Sequence, residues 1–243
     1  YTPCLSAENQ GEMPHRYVLG LYELLERLTT AFPDVLFEGC SGGGGRFDAG
    51  MLYYCPQIWC SDDTDAFERT KIHYGTSFFY PVSAIGSHVS AVPNHQTGRI
   101  TPIETRAVTA MAGSFGYELD LNTLSHDEKQ EVKEQIVRFK KDGPLIHNGL
   151  YYRLSDSLND KYAMWGFVSE DKKEVLVHGV IFRTEPNRTQ YLAKLRGLLP
   201  DTNYRLAENG EVYKGSALMN GGILLPKSWG DYASIEMHFI SEA

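Results

Sequence analysis

The spacing of apolar residues changes near residue 145, and this change constrains the fold more than any other feature of the chain. Before it, segments with apolar residues at helical spacing alternate with short apolar runs, a pattern typical of parallel α/β structure. After it, the apolar runs are short, strand-like and separated by turns, as in antiparallel β-structure. We therefore predict an α/β domain over residues 1–145 and a small antiparallel β-sandwich domain over residues 146–243.

Helix boundaries in the first domain follow from capping residues and prolines. Asp65 with Glu68, and Ser125 with Glu128, have the spacing of capping boxes. Proline fits the first helical turn, and a Gly-Pro pair is typical of a helix end. The predicted helices are Pro14–Ala31, Ala66–His73, Pro102–Ala112 and one that starts after Ser125 and ends at Gly143-Pro144.

Short apolar runs predict the strands. In the first domain they are Val35–Cys40, Gln57–Cys60, an apolar patch at Ser77–Tyr80, and Phe115–Leu121. In the second they are Leu150–Leu154, Ala163–Val168, Val175–Phe182, Tyr204–Leu206 and Ser234–Ile240.

Composition excludes several classes of protein. The 243 residues are 42% hydrophobic and carry a net charge of −8, without a basic cluster for nucleic acid. No apolar run reaches the roughly 20 residues of a membrane span. The four cysteines form no C-x-x-C pair, so we expect no metal site and no cofactor, and reduced thiols in a cytoplasmic protein. Asn187-Arg188-Thr189 matches a glycosylation sequon, which we interpret as accidental because no secretion signal is visible.

Three segments follow predicted strands, where α/β barrels carry their functional residues. They are Cys40–Gly45, Trp59–Asp65 and His88–Gln96. The glycine run lacks the Lys-Ser/Thr of a phosphate-binding loop, so it is either a tight turn or a close approach of backbone to a ligand. In the third segment and beyond it, His88, Asn94, His95, Arg99 and Arg106 either line a pocket or bind backbone carbonyls, and we favour the second interpretation.

The second segment has the composition of a sugar-cleaving site. Asp62, Asp63 and Asp65 follow Trp59, and a glycosidase needs a carboxyl that protonates the departing oxygen. Asp65 has a structural explanation as a helix N-cap. Asp62 and Asp63 are not distinguished by their spacing, and solvated loop carboxyls are the alternative.

Long motifs extend this pattern over nearly the whole chain. They are Phe37-Glu-Gly-Cys-Ser-Gly-Gly-Gly-Gly-Arg-Phe-Asp48, Met51-Leu-Tyr-Tyr54, Pro56-Gln-Ile-Trp-Cys-Ser-Asp-Asp-Thr-Asp-Ala66, Gly75-Thr-Ser77 and Pro93-Asn-His-Gln-Thr-Gly-Arg99, with His15-Arg-Tyr-Val-Leu-Gly20 and Phe115-Gly-Tyr-Glu-Leu-Asp120. In order and content these motifs resemble the α-galactosidases of glycoside hydrolase family 36.

The resemblance implies a retaining hydrolase of terminal α-galactosyl residues in melibiose- and raffinose-type sugars. Its motifs place the acid/base at Asp62 and the substrate-binding residues at Trp59, Cys40 and Gly42. The pair Cys40 and Gly42 resembles the family pattern that prefers galactose to an N-acetylated sugar. The implied fold is the later strands and helices of a (β/α)8 barrel followed by the antiparallel β domain. The family's nucleophile lies in an Asp-Met-Asn-Arg motif, which this sequence lacks.

We therefore expect the nucleophile to lie outside this chain and the chain alone to be inactive. The expected partners are small-molecule galactosides, with homo-oligomers of the full-length enzyme, and neither nucleic acid nor membrane. Two other readings remain open. One is a non-catalytic module that binds galactosides or takes part in assembly, and the other is a transglycosidase of the raffinose-synthase kind.

Overall fold

A computed structural model describes residues 2–187, 190–227 and 230–242. It divides into two compact units, residues 1–60 and 61–243. The predicted domain boundary near residue 145 therefore stays a prediction, and two residues of the sequon, Arg188 and Thr189, lie outside the described ranges. None of the helices within these ranges combines the length and apolar character that a bilayer crossing requires.

The first unit contains a long helix, a short helix and two short parallel strands. Its elements are α1 (Met13–Ala31), β1 (Glu38–Gly39), α2 (Ala49–Tyr54) and β2 (Gln57–Ile58). Strand β1 pairs with β2 in parallel, with Gly39 opposite Ile58. Leu25, Met51, Cys55 and Ile58 form the buried core between these elements.

Helix α2 is absent from the sequence prediction. It starts at Asp48, whose side chain accepts a hydrogen bond from the backbone N–H of Met51 at 2.8 Å. Asp48 also accepts from the Tyr22 hydroxyl at 3.2 Å. The helix has six residues, which is too short for a helical period to be visible in the sequence.

The second unit begins with alternating helices and strands. They are α3 (Ala66–Thr76), β3 (Gly86–Ser90), α4 (Ile103–Ala110), β4 (Ser114–Glu118) and α5 (His126–Asn148). Strands β3 and β4 are parallel, with Gly86 opposite Ser114. The helices predicted at 66–73 and 102–112 and the strand predicted at 115–121 are thus confirmed, with ends shifted by a few residues.

The apolar patch at Ser77–Tyr80 is not a strand. It forms the turns that follow α3, and the side chain of Phe79 is 86% exposed. The buried strand is β3, whose residues include two serines, a glycine and a histidine. Few apolar residues mark this strand because one of its faces carries small and polar side chains, so apolar spacing alone missed it.

Helix α5 passes through the predicted stop at Gly143-Pro144 and ends at Asn148. Pro144 has no N–H to donate to the preceding turn, which costs a helix interior about 3 kcal/mol. Leu145 and Ile146 are buried just beyond it, and this packing holds the last turn in place. The amide of Asn148 also donates to the carbonyl of Pro144 at 3.0 Å. The capping box of Ser125 and Glu128 at the other end is confirmed.

Antiparallel strands make up the remainder of the second unit. A six-stranded sheet has the order β10-β9-β12-β7-β6-β5, and a separate pair joins β11 to β8. All five predicted strands are present; the short β8, β10, β11 and helix α6 were not predicted. The bounds are β5 Leu150–Arg153, β6 Tyr162–Val168, β7 Glu174–Ile181, β8 Leu192–Ala193, β9 Asn203–Leu206, β10 Val212–Lys214, α6 Gly215–Asn220, β11 Ile223–Leu224 and β12 Ala233–Ser241.

A charged cluster joins the helices of this unit to its sheet. Arg138 on α5 pairs with Glu104 on α4 at 2.5 Å and with Glu236 on β12 at 3.5 Å. Glu236 also lies 3.1 Å from the Nε2 of His178 on β7. Burial raises the pKa of Glu236, but His178 and Arg138 outweigh it, so the pKa is lowered and the carboxylate stays charged. Arg138 therefore stabilises the negative charge of Glu236, which is partly buried where α5 packs on the sheet.

We predict that Arg138→Met lowers the free energy of unfolding by about 2–3 kcal/mol, because it leaves a partly buried carboxylate without its cation. Lys161→Met is the matched control, since Lys161 pairs with Glu185 on the surface. Urea unfolding of the two variants measures the difference. Equal effects of the two substitutions would contradict a stabilising role for the cluster.

Candidate active site

Two predicted site residues leave adjacent parallel strands of the first unit. Cys40 directly follows β1 and Trp59 directly follows β2. The backbone N–H of Trp59 donates to the carbonyl of Gly39 at 2.7 Å, which extends the pairing to the strand ends. Both residues therefore lie at the C-terminal edge of this strand pair, where α/β barrel enzymes carry their sites.

The glycine-rich segment between them is a tight loop of left-handed residues. Ser41, Gly42, Gly43 and Gly44 have φ angles of 79°, 62°, 71° and 86°. The N–H of Gly45 closes the turn on the carbonyl of Ser41 at 3.2 Å. Such angles favour glycine because a Cβ atom crowds the neighbouring carbonyl.

Two glycines of this loop have different surroundings. A Cβ atom added at Gly44 would lie 3.1 Å from the backbone of Cys60, whereas one added at Gly42 would meet nothing within 4 Å. Gly44 is thus required for packing. Gly42 faces open space, as a residue that a ligand approaches must do.

Asp65 anchors the carboxylate segment in the second unit. Its side chain caps α3 by accepting from the N–H groups of Phe67 at 2.9 Å and Glu68 at 3.3 Å. It also pairs with Arg99 at 2.5 Å and accepts from the Thr97 hydroxyl at 2.5 Å. The residue is only 2% exposed. Burial raises its pKa, but the bonds from Thr97, Arg99 and Glu68 outweigh burial and the pKa is lowered.

The predicted N-cap is therefore confirmed, but the capping box is not. The carboxylate of Glu68 lies 3.1 Å from Lys71 and 3.6 Å from Arg99 instead of bonding to the N–H of Asp65. That N–H donates to Asp63 Oδ1 at 2.9 Å. The cations Lys71 and Arg99 thus hold the Glu68 carboxylate away from the N–H that a capping box would use.

The structure separates the two carboxyls that the sequence left equivalent. Asp63 folds back on its own turn, accepting from Asp65 while its N–H donates to Ser61 at 3.2 Å. Asp62 is exposed, and within the described ranges its side chain has neither a hydrogen bond nor an ion pair. Asp62 is thus available for chemistry, and its role as acid/base remains a prediction.

The loop after β3 holds this segment from the other side. The Asn94 amide donates to the Thr64 hydroxyl at 3.0 Å, while its oxygen accepts from the N–H groups of Gln96 and Thr97. Arg106 donates to the carbonyl of Ser90 at 2.8 Å. Arg106 thus binds a backbone carbonyl, as we favoured, whereas Asn94 bonds to the Thr64 hydroxyl and to backbone N–H groups and Arg99 pairs with Asp65.

The two histidines differ from those three residues. His88 lies on β3, with its Nδ1 3.2 Å from Glu118. His95 borders a cavity of about 170 Å³ with Thr64, Ser90, Ala91, Pro93 and Glu118. Sequence analysis did not single out Thr64, Ser90 and Glu118, because their approach to one another depends on the pairing of β3 with β4 and on the loop after β3. The described residues include no group of three or more His, Cys, Asp or Glu side chains that could hold a metal.

We predict that Gly44→Ala destabilises the first unit more than Gly42→Ala. Both substitutions place a side chain at positive φ, which costs about 1–2 kcal/mol, but only Gly44→Ala adds a clash with backbone. Amide hydrogen exchange over residues 38–60 measures the local stability. Equal protection in the two variants would contradict the close packing of Gly44.

We predict that Asp65→Asn lowers stability at neutral pH by about 2–3 kcal/mol, because asparagine still caps the helix but removes the closer of the two carboxylates that pair with Arg99. The folded-state pKa of Asp65 lies below its unfolded value of about 3.9, so its contribution is present above that pH and is lost as pH falls through the folded pKa. Thermal unfolding from neutral to acid pH should show that the difference in stability between Asp65→Asn and wild type narrows below about pH 4. A gap of constant size would argue against the ion pair.

Two family profiles match the chain. The Melibiase profile matches residues 1–149, and the profile of the glycosyl hydrolase family 36 C-terminal domain matches residues 162–239. Among characterised relatives, the bifunctional α-galactosidase/sucrose kinase AgaSK of Mediterraneibacter gnavus is 56% identical over 229 residues, which are 94% of this chain and 24% of that protein.

Solved structures agree with the profiles. A variant of the α-galactosidase AgaA from Geobacillus stearothermophilus in complex with raffinose superposes with a TM-score of 0.96 at 45% identity, over 99% of this chain and 33% of that one. Another AgaA variant, in complex with stachyose, gives 0.95 at 46% identity with the same coverage. This chain thus spans 24–33% of the length of these relatives. The Melibiase profile covers more than half of the chain, and the C-terminal-domain profile covers much of the remainder, so the chain belongs to glycoside hydrolase family 36.

Proposed function

We propose that this chain is part of an α-galactosidase that removes terminal α-galactosyl residues from raffinose- and melibiose-type sugars, with Asp62 as its acid/base. The observation that carries the proposal is the contrast within one loop. Asp63 and Asp65 are fixed by hydrogen bonds, whereas Asp62 is exposed and unpaired within the described ranges. The AgaA structures with raffinose and stachyose support the choice of substrate class.

The proposed mechanism is a double displacement with retention. Protonated Asp62 gives its proton to the glycosidic oxygen as a second carboxylate attacks the anomeric carbon, and the leaving sugar departs. The Asp62 carboxylate then takes a proton from water while the water oxygen attacks the anomeric carbon, which breaks the bond to the nucleophile carboxylate and releases galactose. The sequence holds no Asp-Met-Asn-Arg motif, so the proposed nucleophile belongs to another part of the protein.

The proposal extends to the fold. We assign residues 1–145 to the later strands of a (β/α)8 barrel and residues 146–243 to a β-sandwich domain. Two observations support the assignment: each unit contains a parallel strand pair, and the first profile ends at residue 149 while the second begins at residue 162. In this proposal Cys40, Gly42 and Trp59 contact galactose from the strand ends of the first unit. Oligomer formation and cytoplasmic location stay predictions.

A chimera tests the role of Asp62. This chain replaces the matching third of Geobacillus AgaA, and the hydrolysis of raffinose is measured for the unmodified chimera, for Asp62→Asn and for the matched control Asp63→Asn. We expect Asp62→Asn to lower kcat by about 10²–10⁴-fold, because general acid–base catalysis contributes that much. Asp63→Asn should retain most activity, since an amide oxygen still accepts from Asp65.

Equal losses in the two variants, or a larger loss in Asp63→Asn, would overturn the assignment. The isolated 243-residue chain serves as the baseline. We expect it to hydrolyse nitrophenyl α-galactoside far below the roughly 1 per second of an ordinary enzyme, since it lacks the proposed nucleophile.

A further inference from the structure

One face of the strand pair in the second unit packs against helices. Ser87 on β3 lies 3.3 Å from His73 of α3, and Tyr117 on β4 donates to Gln135 of α5 at 2.7 Å. Side chains alternate between the two faces of a strand. His88 and Ser90, with Gly116 and Glu118 opposite them in register, therefore share the other face.

A histidine orients a glutamate at the C-terminal end of this face. His88 lies opposite Gly116, where an added Cβ atom would lie 3.0 Å from the imidazole, so the ring packs closely against this glycine. The ring's Nδ1 lies 3.2 Å from one carboxylate oxygen of Glu118. The side chain of Glu118 is 63% exposed, which leaves the carboxylate able to accept further hydrogen bonds from solvent or a ligand.

This carboxylate borders the cavity of about 170 Å³, together with Ser90, His95 and Thr64. Ser90 is 7% exposed, and its hydroxyl has no hydrogen-bond partner in the described part of the chain. A buried hydroxyl without a partner is costly, so a ligand that bonds to it gains affinity. The Cα of Thr64 lies at most about 7 Å from that of Asp62, because two residues separate them.

We propose that this cavity binds the hydroxyl groups of the sugar that leaves during hydrolysis, with Glu118 as the main contact and His95 and Ser90 as further ones. A carboxylate accepts hydrogen bonds from two hydroxyl groups at once, which matches the adjacent hydroxyls of a sugar ring. The cavity is smaller than the about 300–1,000 Å³ typical of whole-ligand pockets, so it accommodates one sugar residue.

The assignment to the leaving sugar rests on the proposed function. An acid catalyst must lie beside the oxygen of the leaving group, and the cavity adjoins the loop of the proposed acid. The galactose contacts implied by the family motifs are instead Cys40, Gly42 and Trp59. Glu118 is thus a specificity residue for the second sugar.

Glu118→Gln in the AgaA chimera tests this proposal with two substrates. Raffinose releases sucrose, whose hydroxyls can bind in the cavity, whereas nitrophenyl α-galactoside releases nitrophenol, which has no hydroxyl besides the leaving oxygen itself. We expect kcat/KM for raffinose to fall about 10–100-fold, the equivalent of losing a hydrogen bond to a charged group. The kcat/KM for the nitrophenyl substrate should change less than threefold. Glu170→Gln, in an exposed turn, is the matched control and should leave both values unchanged.

The outcomes separate this proposal from the function on which it rests. Equal losses on both substrates, or no loss on either, would overturn the cavity's role while leaving Asp62 untouched. Full activity of Asp62→Asn would instead overturn the proposed function.

A second measurement does not need the chimera. Sucrose titrated into the 243-residue chain should shift the NMR signals of the His88 and His95 imidazoles, and Glu118→Gln should weaken the effect. Unshifted signals at high sucrose concentration would contradict the proposal.

Discussion

The loop that carries Asp62 depends on one buried carboxylate three residues further along. Asp65 begins α3, pairs with Arg99 and accepts from Thr97, and these bonds tie the loop both to the helix behind it and to the loop that follows β3. Asp63 and Thr64 are then fixed by bonds to Asp65 and Asn94. Asp62 is the carboxyl in this segment whose position is determined by its neighbours while its own side chain remains exposed.

A different constraint operates in the first unit. The loop after β1 turns through four consecutive residues with positive φ, and Gly44 lies close to the backbone of Cys60. The geometry therefore requires glycine at Gly44 for reasons of packing. At Gly42 it leaves open space, which is what a substrate-lining residue needs. Packing thus requires Gly44, while Gly42 stays the proposed substrate contact.

Features set by local sequence could be predicted, and features set by distant partners could not. The N-caps Asp65 and Ser125 were predictable because a cap bonds to amides two or three residues away. The partner of Asp65, Arg99, was not, since no local pattern joins residues so far apart in the sequence. The helix end predicted at Gly143-Pro144 was wrong because the burial of Leu145 and Ile146 outweighs the hydrogen bond that Pro144 cannot make. The strand predicted at Ser77–Tyr80 was wrong because these residues form exposed turns, so their apolar side chains do not mark a buried strand.

The candidate site shows the same division. Family motifs alone selected Asp62 over Asp63, and the hydrogen bonds that hold Asp63 support the proposal that Asp62 is the acid/base. Glu118 and Ser90 were missed because their approach to Thr64 depends on the pairing of β3 with β4 and on the loop after β3.

The most direct test of the central claim is rescue of an Asp62→Ala chimera by azide. With a dinitrophenyl α-galactoside the first step needs no acid, so the galactosyl–enzyme should accumulate and azide should take the place of the water that Asp62 activates. The account predicts faster turnover and a galactosyl azide of α configuration, because the second displacement restores the original anomer. An absence of rescue, or an azide product of β configuration, would contradict the assignment of Asp62 as the acid/base.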